Sequence, residues 1–194
     1  RQMCIRDREK AQNPKTLVVA CCDSRVDPAI LLHCKPGDLF VIRNVAALVP
    51  AVTQASNPCS VMSAIEYGVK HLNVEHIVVM GHSHCGGIHG LMTPESIAGE
   101  TYIQDWVSIA SPALERLQAM TGDEDEKTRS RHCEEGAVLI SLDNLLSYPW
   151  IAERVKNGQL KLHALYYDLS EGNLYRFSPD SEDFELLFHT IENP

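Results

Sequence analysis

The sequence predicts an α/β fold: a mainly parallel β-sheet of four to five strands flanked by helices. Three observations carry this reading. Short continuous apolar runs, "TLVVAC" (16–21), rich in β-branched residues like a strand buried on both faces, and "HIVVM" (76–80), another buried strand, flank "DLFVIR" (38–43), which reads as a second strand. Segments with helical periodicity separate them, so successive strands need crossover connections and pair in parallel. A chain of 194 residues with 44% hydrophobic content can bury one full core, and no internal repeat or low-complexity linker divides it. A single domain over 9–194 is expected.

The elements follow in order. The strand at 16–21 runs into "CDSRV", after which Asp27 and Pro28 provide an N-cap and a first-turn residue for a short helix over "AILLHC". The turn "KPGD" leads into the second strand. Asn57 and Pro58 repeat the cap-plus-proline signal, and Met62, Ile65, Val69 and Leu72 mark the apolar stripe of the helix that follows. The third strand ends in "GHSHCGG". Residues 101–120 read as helical with a break at Pro112. The mixed-charge stretch "TGDEDEKTRSRHCEE" reads as a solvated loop or helix edge with no specific chemistry. A helix capped at Ser141 and stopped near Gly158 is expected next. "LKLHALYYDL" and "NLYRFS" close the chain as a strand pair joined by "SEGN", the last strand antiparallel at a sheet edge.

Composition excludes several classes. The net charge of −9 and the lack of any Lys/Arg run leave no footprint for nucleic acid. No apolar stretch approaches the roughly 18 to 20 residues that cross a bilayer. "RQMCIRDREK" is too charged for a secretory signal, so a cytoplasmic location is expected; residues 1–8 read as a truncation scar or a non-native fragment. Seven scattered cysteines fit a reducing compartment with free or metal-bound thiols.

Chemistry concentrates at two strand ends, where ligands sit in open α/β sheets. If the strands carrying "CCDSR" and "GHSHCGG" are neighbours, Cys21 or Cys22 meets His82 and Cys85. Two thiolates and an imidazole suit zinc, and three protein ligands leave a fourth position for water or substrate. Zinc acidifies a bound water toward a nucleophilic hydroxide, although two thiolates cancel its charge and weaken the effect. Asp23 can accept the proton, with Arg25 orienting it through paired hydrogen bonds. Taken alone, a buried cysteine is usually a small hydrophobe and an Asp–Arg pair a loop salt bridge. "GHSHCGG" alone could cradle phosphate, but no G-x-x-x-x-G-K-[ST] or G-x-G-x-x-G supports that. Cys34, Cys59 and Cys133 read as packing residues, and His84 and His89 flank the site.

"ACCDSRV", "GDLFVIRNVAALVP" and "VMGHSHCGG" resemble, in order and spacing, the C-x-D-S-R, G-[DE]-x-F-x-x-R-N and G-H-x-x-C-G motifs of the β-class carbonic anhydrases, over about residues 12–177. The resemblance implies a β-carbonic anhydrase-like fold and one Zn2+ per chain. It assigns Cys21, His82 and Cys85 as metal ligands, Cys22 as structural, and Asp23 and Arg25 as the catalytic dyad. Asp23 would be a fourth ligand only in a closed, inactive state. "AQNPKTLVVACCDSR" is similar to the plant-type branch, which puts Gln12, Phe40, Val45, Tyr67 and Gly86 at the substrate. Val18 stands where members with an allosteric bicarbonate site tend to carry Trp, so no such site is expected. Ala47 departs from the common "RNVAN", and the N-terminal helices that clasp a partner subunit are largely missing.

The implied activity is reversible hydration of CO2 to bicarbonate and a proton, by a homodimer or higher homo-oligomer with sites near the subunit interface, and with His84 or His89 assisting proton release. Two alternatives are a hydrolase of a CO2-like molecule such as carbon disulfide on the same scaffold, and a non-catalytic zinc-stabilised binding module. The intact Asp23–Arg25 pair argues against the latter. A redox role for Cys21 and Cys22 is disfavoured because vicinal cysteines lack C-x-x-C geometry.

Overall fold

The structure is a computed structural model that describes residues 9, 11–55, 59–120, 122 and 124–189. Its centre is a six-stranded sheet in the order β2-β1-β3-β4-β5-β6, built from β1 (Thr16–Cys21), β2 (Leu39–Asn44), β3 (His76–His82), β4 (Lys161–Asp168), β5 (Asn173–Ser178) and β6 (Asp183–His189). β1 pairs in parallel with β2 and β3, and β3 in parallel with β4. β5 and β6 then run antiparallel. The expected count of four to five strands is therefore corrected to six. In β6, "DFELLFH", Phe184, Leu186 and Phe188 alternate as on one face of a strand, but only Phe184 is buried, and the ladder with β5 holds the strand.

Alternate residues of β1 supply two cores. Leu17 and Val19 join Ile65 and Val69 on one face, while Val18 and Ala20 join Ile88, Leu117 and Cys133 on the other. Burying such side chains contributes roughly 1.5–3 kcal/mol each, which fixes the register of this central strand.

The crossovers are α1 (Pro28–Leu31), α2 (Ser60–Lys70), α3 (Gly86–Met92), α4 (Thr101–Val107), α5 (Ser111–Ala119), α6 (Glu126–Leu146) and α7 (Pro149–Lys156). Asp27 caps α1 by accepting from the Ala29 and Ile30 N–H groups. Met62, Ile65 and Val69 form the buried stripe of α2. Its Asn57–Pro58 cap, Cys4 and the non-native reading of residues 1–8 lie outside the described residues. A 3-10 turn interrupts 101–119, and Pro112 sits in the first turn of α5.

Ser141 does not cap a helix. It lies fully buried inside α6, where its hydroxyl accepts from Val49 N–H. The cap is Asp125, which accepts from Thr128 N–H, and Glu126–Glu135 of the stretch read as a solvated loop or helix edge forms the first half of this 21-residue helix. Its charges misled because they occupy a partly buried face: Glu134 and Glu135 are both below 10% exposed. Pro149 starts α7 as a separate helix.

Because β2 lies on one side of β1 and β3 on the other, the chain reverses direction of travel at β1, opening a crevice at the carboxyl ends of β1 and β3. One close approach shapes its floor: a Cβ on Gly81 of β3 would stand 2.5 Å from Val138 Cγ2 of α6. Gly81→Ala is therefore expected to destabilise the fold by about 1–3 kcal/mol through overpacking. A lower urea midpoint at unchanged slope would show it.

Candidate metal centre

Parallel register puts Ala20 beside Met80, so Cys21 at the end of β1 stands level with the last residues of β3. His82 ends β3, and Cys85 lies at the head of α3 after a tight turn. The Cys21 and Cys85 sulfurs and a ring nitrogen of His82 lie within 4.8 Å of one another, and all three residues are buried. The open choice between Cys21 and Cys22 is resolved by placement: Cys22 is exposed, bonded through its backbone to Asn44, and does not join the group.

The donor set was tested against a metal through its hydrogen bonds. His82 Nδ1 lies 2.8 Å from Ser83 O, to which it donates, and this turns the lone pair of Nε2 into the site. Nε2 is buried without a hydrogen-bond partner. A buried imidazole nitrogen is rarely left unpaired, and between two sulfurs the group that satisfies it is a soft divalent cation. The residues fit one zinc ion.

The sulfurs carry further donors. Asp23 N–H and Ala46 N–H point at Cys21 Sγ at 3.4 and 3.3 Å, while Gly87 and Ile88 N–H groups face Cys85 Sγ. Cys85 and the His82 imidazole beside it lower the Cys21 thiol to about 4 despite burial, while the hydrogen bond with Cys21 and burial push Cys85 up. His82 is raised: burial opposes its charge, but the neighbouring Cys21 outweighs it.

Asp23 and Arg25 form a forked pair. Arg25 Nε donates to Asp23 Oδ1 at 2.9 Å, Nη2 to Oδ2 at 2.6 Å, and the Arg25 N–H also reaches Oδ1. The Arg25 hydrogen bonds hold Asp23 well below the usual carboxylate range, with burial opposing. Asp23 Oδ2 stands 3.9 Å from His82 Nε2.

Backbone strain is concentrated here. Ala46, Ala47 and His84 all have φ between 52° and 62°, a left-handed conformation that raises the energy of a non-glycine residue by about 1–3 kcal/mol. In return the Ala46 N–H faces Cys21 Sγ. Ala47, the departure from "RNVAN", occupies one of these positions, where Asn is better tolerated than Ala. Trp106 Nε1 donates to Val45 O and holds the same turn.

The implied substrate residues separate into two groups. Val45 packs where a Cβ on Gly87 would come within 2.6 Å, and the space over Gly86 is open. Both adjoin the metal ligands. Gln12, Phe40 and Tyr67 do not: Gln12 lines a recess of about 450 Å³ with Lys15 and Asp38, beyond the amino end of β1. Phe40, paired with Leu17, stacks on Tyr67 with ring centroids 6.2 Å apart. Phe40 therefore stands four residues, about 13 Å of strand, before Cys21. His84 bonds through its ring to Ser170 Oγ, and His89 is exposed beside Cys85.

Two residues went unmarked in the sequence reading. Arg43 donates to the carbonyls of Cys21, Asp23 and Val26 at 2.9, 2.6 and 2.7 Å, gathering the "CCDSRV" loop. A cation closing an otherwise apolar strand was the available signal. Glu134, 5% exposed, accepts from Cys85 N–H at 3.1 Å and from Tyr166 O–H at 2.7 Å. Its signal was hidden once its segment was taken for solvated chain.

Fold and ligand set define an α/β protein with a mononuclear Cys2His metal centre at the switch point of its sheet. The carbonic anhydrase family model matches residues 16–174. Beta carbonic anhydrase 5, chloroplastic, of Arabidopsis thaliana is 42% identical over 171 residues, 88% of this chain and 56% of that protein. Beta carbonic anhydrase 6, mitochondrial, from the same plant is 40% identical over 90% of this chain and 61% of its own length. The chain thus spans under two thirds of these curated relatives. Among solved structures, the beta-carbonic anhydrase CcaA superposes with a TM-score of 0.90 at 29% identity over 96% of this chain and 83% of that one. A tetrameric beta-carbonic anhydrase of Sordaria macrospora gives 0.72 at 29%, over 94% and 85%. The chain belongs to the carbonic anhydrase family, in its plant-type β class.

Cys21→Ser, His82→Ala and Cys85→Ser should each drop bound zinc well below one per chain, whereas Cys22→Ser should leave it unchanged. Metal analysis of the purified variants checks both halves of this expectation.

Proposed function

We propose that this chain catalyses the reversible hydration of CO2 to bicarbonate and a proton. The observation that carries the reading is the unpartnered Nε2 of His82, set between two sulfurs with Asp23 3.9 Å away. When bound there, zinc supplies a Lewis acid that makes water a nucleophile near neutral pH. Asp23 accepts the proton that this nucleophile sheds, at Oδ2, and remains ionised to do so because Arg25 holds it. The same fork fixes Asp23 against swinging inward as a fourth ligand. Val45 and the open space over Gly86 form the apolar slot for CO2, and backbone N–H near Gly86 faces the charge that develops on oxygen. Exposed His84 and His89 stand beside the ligand loop, where either can pass the proton to buffer.

Gln12, Phe40 and Tyr67 enter the reading through a second copy. Phe40 and Tyr67 stack on each other, with Tyr67 46% exposed, and Gln12 precedes β1, all on the amino side of Cys21 along the strand. In a symmetric dimer this cluster would cover the partner's crevice and complete its substrate pocket. The tetrameric relative supports assembly. A single domain over 9–194 and a reducing compartment also belong to this reading: the described cysteines are all free, which suits the cytoplasm or an organelle of the kind named for two relatives. Among the described residues no helix is long and apolar enough to cross a membrane.

Stopped-flow CO2 hydration on zinc-loaded protein at alkaline pH should exceed the buffer rate by orders of magnitude, and Asp23→Ala should lower kcat about 10²- to 10⁴-fold. A zinc-loaded protein no faster than buffer refutes the activity.

The acid side has a defined sign. Because the Asp23 pKa is depressed by Arg25, its stabilising contribution is present above the usual carboxylate range and is lost only as pH falls through the lower folded value. Activity should therefore not lose Asp23 as a base anywhere between pH 5 and 9; a kcat/KM profile with an acid limb inside that window that disappears in Asp23→Asn would contradict this.

Contribution in trans predicts complementation. Equal mixtures of Gln12→Ala and Asp23→Ala chains, unfolded and refolded together, should recover about a quarter of wild-type activity, since half the dimers are mixed and each has one intact site. No recovery would place Gln12 in its own chain's site or outside catalysis.

A further inference from the structure

The turn between His82 and Cys85 is held at one peptide from two sides. His84 O accepts from Arg25 Nη2 at 3.1 Å, and the N–H of the same peptide, that of Cys85, donates to Glu134 Oε1 at 3.1 Å. Glu134 is fixed in turn by Tyr166 O–H, which donates to Oε2 at 2.7 Å, and by helix α6, whose Val138 packs against Gly81. His84 meanwhile sits at φ 56°, a conformation the turn would leave if released. A continuous hydrogen-bonded chain thus runs from Tyr166 through Glu134 and the His84–Cys85 peptide to Arg25 and Asp23.

We propose that Glu134 is the positioning residue of this centre: its carboxylate fixes the His84–Cys85 peptide, aiming Cys85 Sγ at the metal and presenting His84 O to the Arg25 that orients Asp23. The role is one of reach and hydrogen-bond acceptance. Outer partners of metal ligands commonly change metal affinity about 10- to 100-fold, and a partner that counteracts a strained turn belongs at the upper part of that range. The inference rests on the zinc reading of the site, and affinity for zinc tests it without any measurement of CO2 hydration.

Three variants separate positioning from plain stabilisation. Glu134→Asp keeps the charge but withdraws the carboxyl by one methylene, beyond reach of Cys85 N–H. Glu134→Gln keeps length and an acceptor oxygen while removing the charge. Val138→Ala loosens α6 against β3 without touching the peptide. Zinc affinity by competition with a chromophoric chelator, and the visible bands of the Co2+-substituted protein, are read alongside the melting temperature of the metal-free protein. Glu134→Asp should weaken zinc binding tenfold or more and alter the Co2+ spectrum, Glu134→Gln should stay near wild type in both, and Val138→Ala should lower the melting temperature with little change in affinity. Wild-type affinity and spectrum in Glu134→Asp, equal losses in Glu134→Gln, or an affinity loss in Val138→Ala matching that of Glu134→Asp would each overturn the proposal. Should zinc bind as expected in a protein that does not hydrate CO2, the activity falls and this inference stands.

Discussion

Everything at the metal centre depends on the parallel pairing of β1 with β3. Thr16 lies beside His76 and Ala20 beside Met80, which delivers Cys21 and His82 to one height at the carboxyl end of the sheet. A slip of one residue would exchange the two faces of a strand and carry a ligand away from its partners. Such slips are costly here because β1 is buried on both faces: Leu17, Val18, Val19 and Ala20 have no accessible surface. Core packing thus sets ligand geometry, and the grouping of Cys21 with the unpartnered Nε2 of His82 is a consequence of that register.

Backbone strain and hydrogen bonding then refine what register delivers. Charged side chains gather each ligand loop by bonding to main-chain groups: Arg43 takes three carbonyls of the first loop, while Arg25 takes a carbonyl and Glu134 an N–H of the second. Signs match the groups they hold, since a cation satisfies carbonyls and a carboxylate satisfies amides. Left-handed Ala46 and His84 are sustained inside this frame, and the first of them turns its N–H onto a ligand sulfur. Rigidity of this kind lets three ligands bind zinc while leaving a coordination position open.

Much of this was legible in the sequence, and the failures have physical causes. β1 and β3 could be read because burial on both faces writes continuous apolar runs, β2 because its apolar run follows the turn "KPGD", and the ligands because C-x-D-S-R and G-H-x-x-C-G place functional types at strand ends. β6 went unread although Phe184, Leu186 and Phe188 alternate along it, because it is a short edge strand of which Phe184 alone reaches the core. The first half of α6 was hidden by its charges, although Asp125 marked a cap and Cys133 and Ala137 a buried face. Glu134 escaped for the same reason: a buried carboxylate partnered by a tyrosine and a main-chain amide has the same letter as a solvated one. Spacing likewise could not separate Cys21 from Cys22, because the choice depends on which side of the strand end each faces.

The remaining division in the site follows from the length of a strand. Gln12 precedes β1 and Phe40 stands level with Leu17, about 13 Å of strand before Cys21, farther than one side chain of their size extends. Gln12, Phe40 and Tyr67 on the one hand, and Cys21, Asp23 and Val45 on the other, therefore work on the same substrate only if two chains are juxtaposed. β2 is the sheet's edge and carries Phe40, with Val41 beside it 40% exposed. An unpaired edge bearing apolar side chains is a surface that a soluble protein covers. On the proposed reading, the same contact that covers this edge supplies the missing wall of the pocket, so that assembly and catalysis place a single demand on the sequence.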